Sequence, residues 1–142
     1  MNVQAFIAEH RVARLATVSV DGKPHLVPVV YVYDGARLFI ALDDKPKRVP
    51  PMQLKRVRNI EADPTVSLIV DDYSEDWGQL AWVRIDGIAR IIQRGRVHTQ
   101  AIRLLREKYP QYELAKLEDR PVIQISVKRI AHWEHTPERH EP

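Results

Sequence analysis

Residues 12–42 read VARLATVSVDGKPHLVPVVYVYDGARLFIAL, and this stretch decides the fold. VARLATVSV (12–20) has the composition and alternation of a strand. Asp21-Gly22 follows as a hairpin signal, because a type I′ turn needs positive φ at both central residues. PHLVPVVYVY (24–33) is apolar at successive positions, so a strand buried on both faces is predicted. Asp34-Gly35 marks a second hairpin, and RLFIAL (37–42) is the third strand. Pro28 donates no ladder hydrogen bond, so the second strand has an edge or a bulge there. A bulge suits a sheet that curls into a barrel. Hairpin-length loops exclude a parallel sheet, which needs long crossovers.

Working outward, NVQAFIAEH (2–10) is a short predicted helix with Val3, Phe6, Ile7 and His10 inward. After Pro50-Pro51 a second helix is predicted, since proline is tolerated at its first position. Leu54, Val57 and Ile60 form its apolar arc, and Asp63-Pro64 ends it. TVSLIVD (65–71) and LAWVRIDGIARII (80–92) are strands four and five. In the latter, Ala81, Val83, Ile85, Gly87, Ala89 and Ile91 share one face, and Trp82, Arg84, Asp86 and Arg90 the other. Gly87 marks a bulge or bend. VHTQAIRLLREKY (97–109) is a third helix, and PVIQISVKRIAHW (121–133) a sixth strand. The expected fold is mainly β (α+β): an antiparallel six-stranded barrel with peripheral helices. It is read as one domain over 1–142, ending in a polar tail from 136.

The 142 residues carry 22 basic and 19 acidic side chains and no cysteine. Interleaved charge argues against a broad nucleic-acid surface, and strands with exposed aromatics among basic residues, as single-strand binders use, are missing. The absence of cysteine excludes disulfides and thiolate metal sites and fits a reducing cytoplasm. The N-terminus lacks the pattern of a signal peptide. The longest apolar run, LVPVVYVY, is too short to span a bilayer. His132 and His135 have no evident third ligand, so no metal is expected there.

Positive charge concentrates in one place. Lys45, Lys47, Arg48, Lys55, Arg56 and Arg58 lie within fourteen residues. On the helical reading Arg56 and Arg58 flank the apolar arc on opposite sides, and Lys55 points outward. An arginine at the edge of a buried arc reaches a ligand phosphate with a planar, multi-donor fork. Trp77, in the polar loop SEDWGQ, either anchors that loop or caps a bound ring system. Trp82 and Arg84 are placed at a dimer interface and one wall of the pocket. His25, after Pro24, reads as a surface strand residue, the alternative being a place near a bound ring system.

LATVSVDGKPHLVPVVYVYDG followed by RLFIALDDKPKR resembles the pyridoxamine 5′-phosphate oxidase-like split-barrel flavoproteins. LKRVRNIEADPTVSLIVDDY and WVRIDGIA continue the match in order, over roughly residues 5–130. The chain is most similar to the small deazaflavin (coenzyme F-420)-dependent reductases. The resemblance implies a split barrel, a homodimer, and two cofactor sites at the subunit interface. It assigns the cofactor phosphate to the basic residue three positions before the Asn of Arg58-Asn59-Ile60-Glu61-Ala62-Asp63-Pro64, which is Arg56; the family often has lysine there. It places the end of the third strand, Ala41 to Asp44, with Asp43 and Asp44, along the same site, and Lys45 to Arg48 just after. Oxidases acting on pyridoxamine phosphate carry further arginine and histidine contacts near the C-terminus, and KRIAHWEHTPERHEP lacks that pattern. Six basic residues exceed what the single phosphate of FMN requires and suit the longer anionic tail of F-420. The expectation is therefore an oxidoreductase that uses F-420 on a small organic substrate. FMN is the alternative, and a non-catalytic flavin or haem carrier the next.

Overall fold

The computed structural model describes residues 1–42 and 50–136. Residues 43–49, with their basic side chains, and residues from 137 on lie outside the described residues. Seven strands form one antiparallel sheet rather than six: β1 (Val12–Val18), β2 (Pro24–Val30), β3 (Val32–Tyr33), β4 (Arg37–Ala41), β5 (Thr65–Asp72), β6 (Ala81–Ile92) and β7 (Val122–Glu134). The helices are α1 (Val3–Glu9), α2 (Lys55–Ala62) and α3 (Arg96–Lys108).

The extra strand arises because the predicted second strand divides at Tyr31. The order across the sheet is β2-β1-β5-β6-β7-β4-β3. Its two outermost strands are thus consecutive in the chain and joined by one residue. The segment pairs first with β1 and then with β4, so the sheet curls into a barrel split along this line. At the split, Tyr31 N–H donates to the Tyr109 hydroxyl at 3.1 Å, and that hydroxyl lies 2.8 Å from the Tyr31 carbonyl. A side chain from the end of α3 thus satisfies backbone groups that a strand would otherwise pair.

Pro28 lies on an edge strand in continuous register with β1, so the edge, not a bulge, accommodates it. The first hairpin is not type I′. Gly22 alone has positive φ (81°), and its N–H donates to the Ser19 carbonyl at 2.9 Å. This is the longer hairpin loop that closes on a left-handed glycine. The bulge sits where Gly87 predicts it: Asp86 pairs with Arg129 but Gly87 with Val127, leaving Lys128 as the additional residue.

One core fills the barrel, with Leu15, Leu38, Leu68, Ile85, Ile123 and Ile125 among its fully buried members. A second, of Phe39, Ala41, Ile102, Leu105 and Leu117, lies under α3 on the outer side of β4 and the start of β7. The remaining outer face is uncovered. The prediction that the second strand is buried on both sides fails there: Leu26, which faces away from the barrel, is 66% exposed. Val12, Ile88 and Trp133 are also exposed.

The split carries a pH dependence. Lys108 Nζ lies 4.2 Å from the Tyr31 ring centre and donates to the His10 carbonyl at 2.5 Å. Burial, helped by the charge of Arg11, pushes the Lys108 amine down to about 8 from its ordinary 10.5. Burial pushes the Tyr31 phenol above its ordinary 10.0. Between about pH 8 and 10 the unfolded chain holds a proton on Lys108 that the folded chain has lost, so stability rises with pH. Above 10 the unfolded chain loses the Tyr31 proton that the folded chain keeps, and stability falls. The thermal unfolding midpoint, followed by circular dichroism, is expected to be highest near pH 10. Lys108→Met should remove the rise; a wild-type midpoint that only declines from pH 8 upward would contradict the assignment.

Candidate cofactor-binding site

The basic segment enters α2 through a 3-10 turn, Pro51–Gln53. Leu54 is the N-cap of α2 rather than a helix residue, and this corrects the expected arc. The inward stripe is Val57, Asn59 and Ile60, all buried. Measured from Leu54 these lie at about 300°, 140° and 240°. Arg56, at about 200°, falls between Asn59 and Ile60. It is half-buried on the inward face, while Arg58 and Lys55 are exposed. Arg56 and Arg58 therefore do not flank a groove together; Arg56 alone is turned toward the sheet.

Asn59 explains why α2 sits this way. Its Nδ2 donates to Thr17 Oγ1 on β1 at 3.0 Å, and both residues are 3% exposed. This buried polar pair pins the first turns of α2 over the β1–β2 hairpin. In that hairpin Ser19 donates to the Asp21 carboxylate and accepts from Lys23 N–H at 3.0 Å. The Ser19 hydroxyl, then the Asp21 backbone, Lys23 and the charge of Lys55 hold the Asp21 carboxyl below its usual range. Lys55 thus stands near the hairpin. The outcome is a polar corner built from Thr17, Ser19, Asn59, Lys55 and Arg56. His25 belongs to it: it pairs with Thr17 across the β1–β2 ladder and is half-buried, not a surface residue.

The other expected site residues lie elsewhere. Trp82 is half-buried on the outer face of β6, opposite Asp71 of β5 and Trp133 of β7. Arg84 shares that face, 3.5 Å from Asp86, and Arg14 bonds Asp71 there at 2.7 Å. Trp77 is 66% exposed on a 3-10 turn capped by Asp76, which accepts from Gly78 N–H at 3.0 Å. Trp77 therefore does not anchor its loop. Within one chain Trp82 and Trp133 stand on the outer side of the sheet and the α2 corner on its inner side. Asp43, Asp44, Lys45, Lys47 and Arg48 lie outside the described residues.

A family model described as pyridoxamine 5′-phosphate oxidase matches residues 1–134. The chain belongs to the pyridoxamine 5′-phosphate oxidase family. No curated protein matches the sequence. Among solved structures of the same fold, the conserved hypothetical protein Rv2991 from Mycobacterium tuberculosis gives a TM-score of 0.77 at 22% identity, over 99% of this chain and 89% of that one. HutZ, the haem storage protein from Vibrio cholerae, gives 0.70 at 17% identity, over 93% and 91%. An F420 reductase gives 0.67 at 18% identity, over 92% and 97%. At these identities the likeness is one of fold, and structures of this fold include proteins named for a deazaflavin and for haem.

In this oxidase-family chain the α2 corner fits the anionic end of a cofactor. It combines a half-buried guanidinium, an exposed ammonium, the Thr17 hydroxyl of β1 and the Ser19 hydroxyl just beyond that strand. Such a set stabilises phosphate oxygens through charge-assisted hydrogen bonds. A cleft of about 550 Å³ lies beside α3. There Arg103 bonds Glu107 at 2.9 Å and Arg106 bonds Glu118 at 2.5 Å. Among the described residues no group of three or more His, Asp or Glu side chains is arranged to hold a metal ion. No described helix is long and apolar enough to cross a membrane. Sequence reasoning missed Asn59 and Thr17, because their only signal is a polar residue where an amphipathic helix turns inward.

Proposed function

We propose that the chain binds the deazaflavin F-420 at a homodimer interface and transfers hydride to or from a small organic substrate. The inward placement of Arg56 beside Lys55 over the β1–β2 hairpin carries this reading. The cofactor supplies the hydride chemistry, and the protein binds, orients and shields it. Lys45, Lys47 and Arg48 precede α2 in sequence, and a longer anionic tail such as oligoglutamate would use their charge. FMN is the second reading, favoured by the compactness of the described corner: one arginine and one lysine suffice for a single terminal phosphate.

The uncovered outer face supports the homodimer reading. Exposed Leu26, Ile88 and Trp133 on that face, interspersed with the Arg14–Asp71 and Arg84–Asp86 pairs, suit an interface with an apolar and a polar part, and a second copy is the partner the family resemblance implies. It would bring Trp82 or Trp77 of one chain toward the α2 corner of the other, which a single chain does not do. Sedimentation at micromolar concentration is expected to give the dimer mass; a monomer would contradict this part of the proposal.

The cofactor is tested by titrating the purified protein with F-420, FMN and haem and following absorption and fluorescence. F-420 is expected to bind most tightly, with affinity rising with tail length. That gain should shrink at high salt, where screening removes exposed contacts, and in Lys55→Ala. Equal affinity for every tail length, with FMN tighter, would transfer the assignment to FMN. A Soret band with no flavin bound would make the protein a haem carrier.

A further inference from the structure

We propose that His25 anchors the cofactor phosphate through its Nδ1, an inference that rests on the cofactor-site reading above. His25 Nδ1 is sealed from solvent and has no hydrogen-bond partner. Other histidines are settled differently. His10 bonds the Phe6 carbonyl at 2.7 Å and Asp72 at 2.6 Å, and His98 Nε2 bonds the Arg120 carbonyl at 2.6 Å. A desolvated ring nitrogen without a partner is destabilising unless something outside the chain meets it.

The groups of its own corner are already engaged. Thr17, its partner across the ladder, accepts from Asn59, and Ser19 is bonded to Asp21 and Lys23. Lys55 and Arg56 draw an anion to the same corner. A phosphate oxygen there would accept a hydrogen bond from Nδ1–H, in either the neutral tautomer that carries that proton or the imidazolium. His25 would thereby add, from strand β2, a direction of contact that the two cations of α2 do not provide.

The test pairs each cofactor with its phosphate-free core: FMN with riboflavin, and F-420 with its deazaflavin alcohol. Affinities are measured by fluorescence for wild type, His25→Phe and His25→Asn. Phenylalanine keeps the flat ring without the nitrogens, whereas asparagine keeps a polar donor near the Nδ1 position. For whichever phosphate-bearing cofactor wild type binds, His25→Phe is expected to weaken affinity about tenfold, the size of one hydrogen bond to a charged group. His25→Asn should retain affinity within about threefold, and the phosphate-free core should bind all three proteins alike. Unchanged affinity in His25→Phe overturns the inference, as does equal loss for both members of a pair, which would make the ring a packing element. A weakened dimer with intact affinity per dimer also overturns it, since the Nδ1 partner would then belong to the second copy. If wild type binds none of the four compounds, the cofactor-site reading itself fails, and the inference with it.

Discussion

Gly87→Val is expected to destabilise the barrel by about 3 kcal/mol or more, the upper range for overpacking a filled interior. Gly87 is buried at the β6–β7 bulge. A Cβ added there would lie 2.6 Å from the Ser126 carbonyl oxygen and 2.7 Å from Ile125 Cγ2. Real Cβ atoms do not approach backbone so closely, so the two strands would have to separate. These strands run antiparallel through twelve paired positions and place Ile85 and Ile125 in the core. For a chain of this length the expected fall in melting temperature is roughly 10 °C. Combining Gly87→Val with Ile125→Ala should not rescue it, because the nearer clash is with backbone. A variant melting within about 2 °C of wild type would show that the bulge is not the constraint described.

The second large effect concerns binding. Arg56→Ala is expected to weaken cofactor affinity by roughly 1.5–3 kcal/mol, the range for hydrogen bonds to a charged group. Arg58→Ala, two residues on and exposed on the opposite face of α2, should change it by less than about 1 kcal/mol. This contrast follows from the register of α2, which Leu54 as N-cap and the Asn59–Thr17 bond determine. Arg56→Lys is expected to fall between, keeping charge but losing the fork. Calorimetric titration with F-420 or FMN measures all three. If Arg56→Ala instead unfolds the protein and leaves the affinity of its folded fraction intact, Arg56 is a structural residue.

Much of the fold is legible in the sequence because its signals are local. Pro28 narrows β2 to an edge or a bulge, of which the edge is observed; the bulge at β6 follows from Gly87, and the hairpins from Asp21-Gly22 and Asp34-Gly35, although Gly22 alone adopts the positive φ that the first turn needs. The split at Tyr31 was not legible. Its cause is a hydroxyl on Tyr109, 78 positions later in the chain, and apolar periodicity carries no trace of such a contact. The exposed outer face of β2 was hidden for a related reason. A run apolar on both faces reads as doubly buried, whether its second cover is the same chain or another one.

The site was half legible. Its basic composition is plain in the sequence, but its orientation rests on where α2 begins. Counting Leu54 into the helix turns the apparent apolar arc and moves Arg56 to its rim. Moving Leu54 to the cap returns Arg56 to the inward face. Asn59 was overlooked because a buried amide is favourable only with a partner, and its partner, Thr17, lies 42 residues away.

Amide hydrogen exchange, with and without saturating F-420 or FMN, tests most directly where the cofactor binds. The corner reading predicts added protection in the β1–β2 hairpin, residues 17–25, and in the first turns of α2, residues 55–59. It predicts little change along α3. Protection confined to α3 and the 110–118 segment, with the corner unchanged, would contradict it and move the site to the cleft beside Arg103 and Arg106.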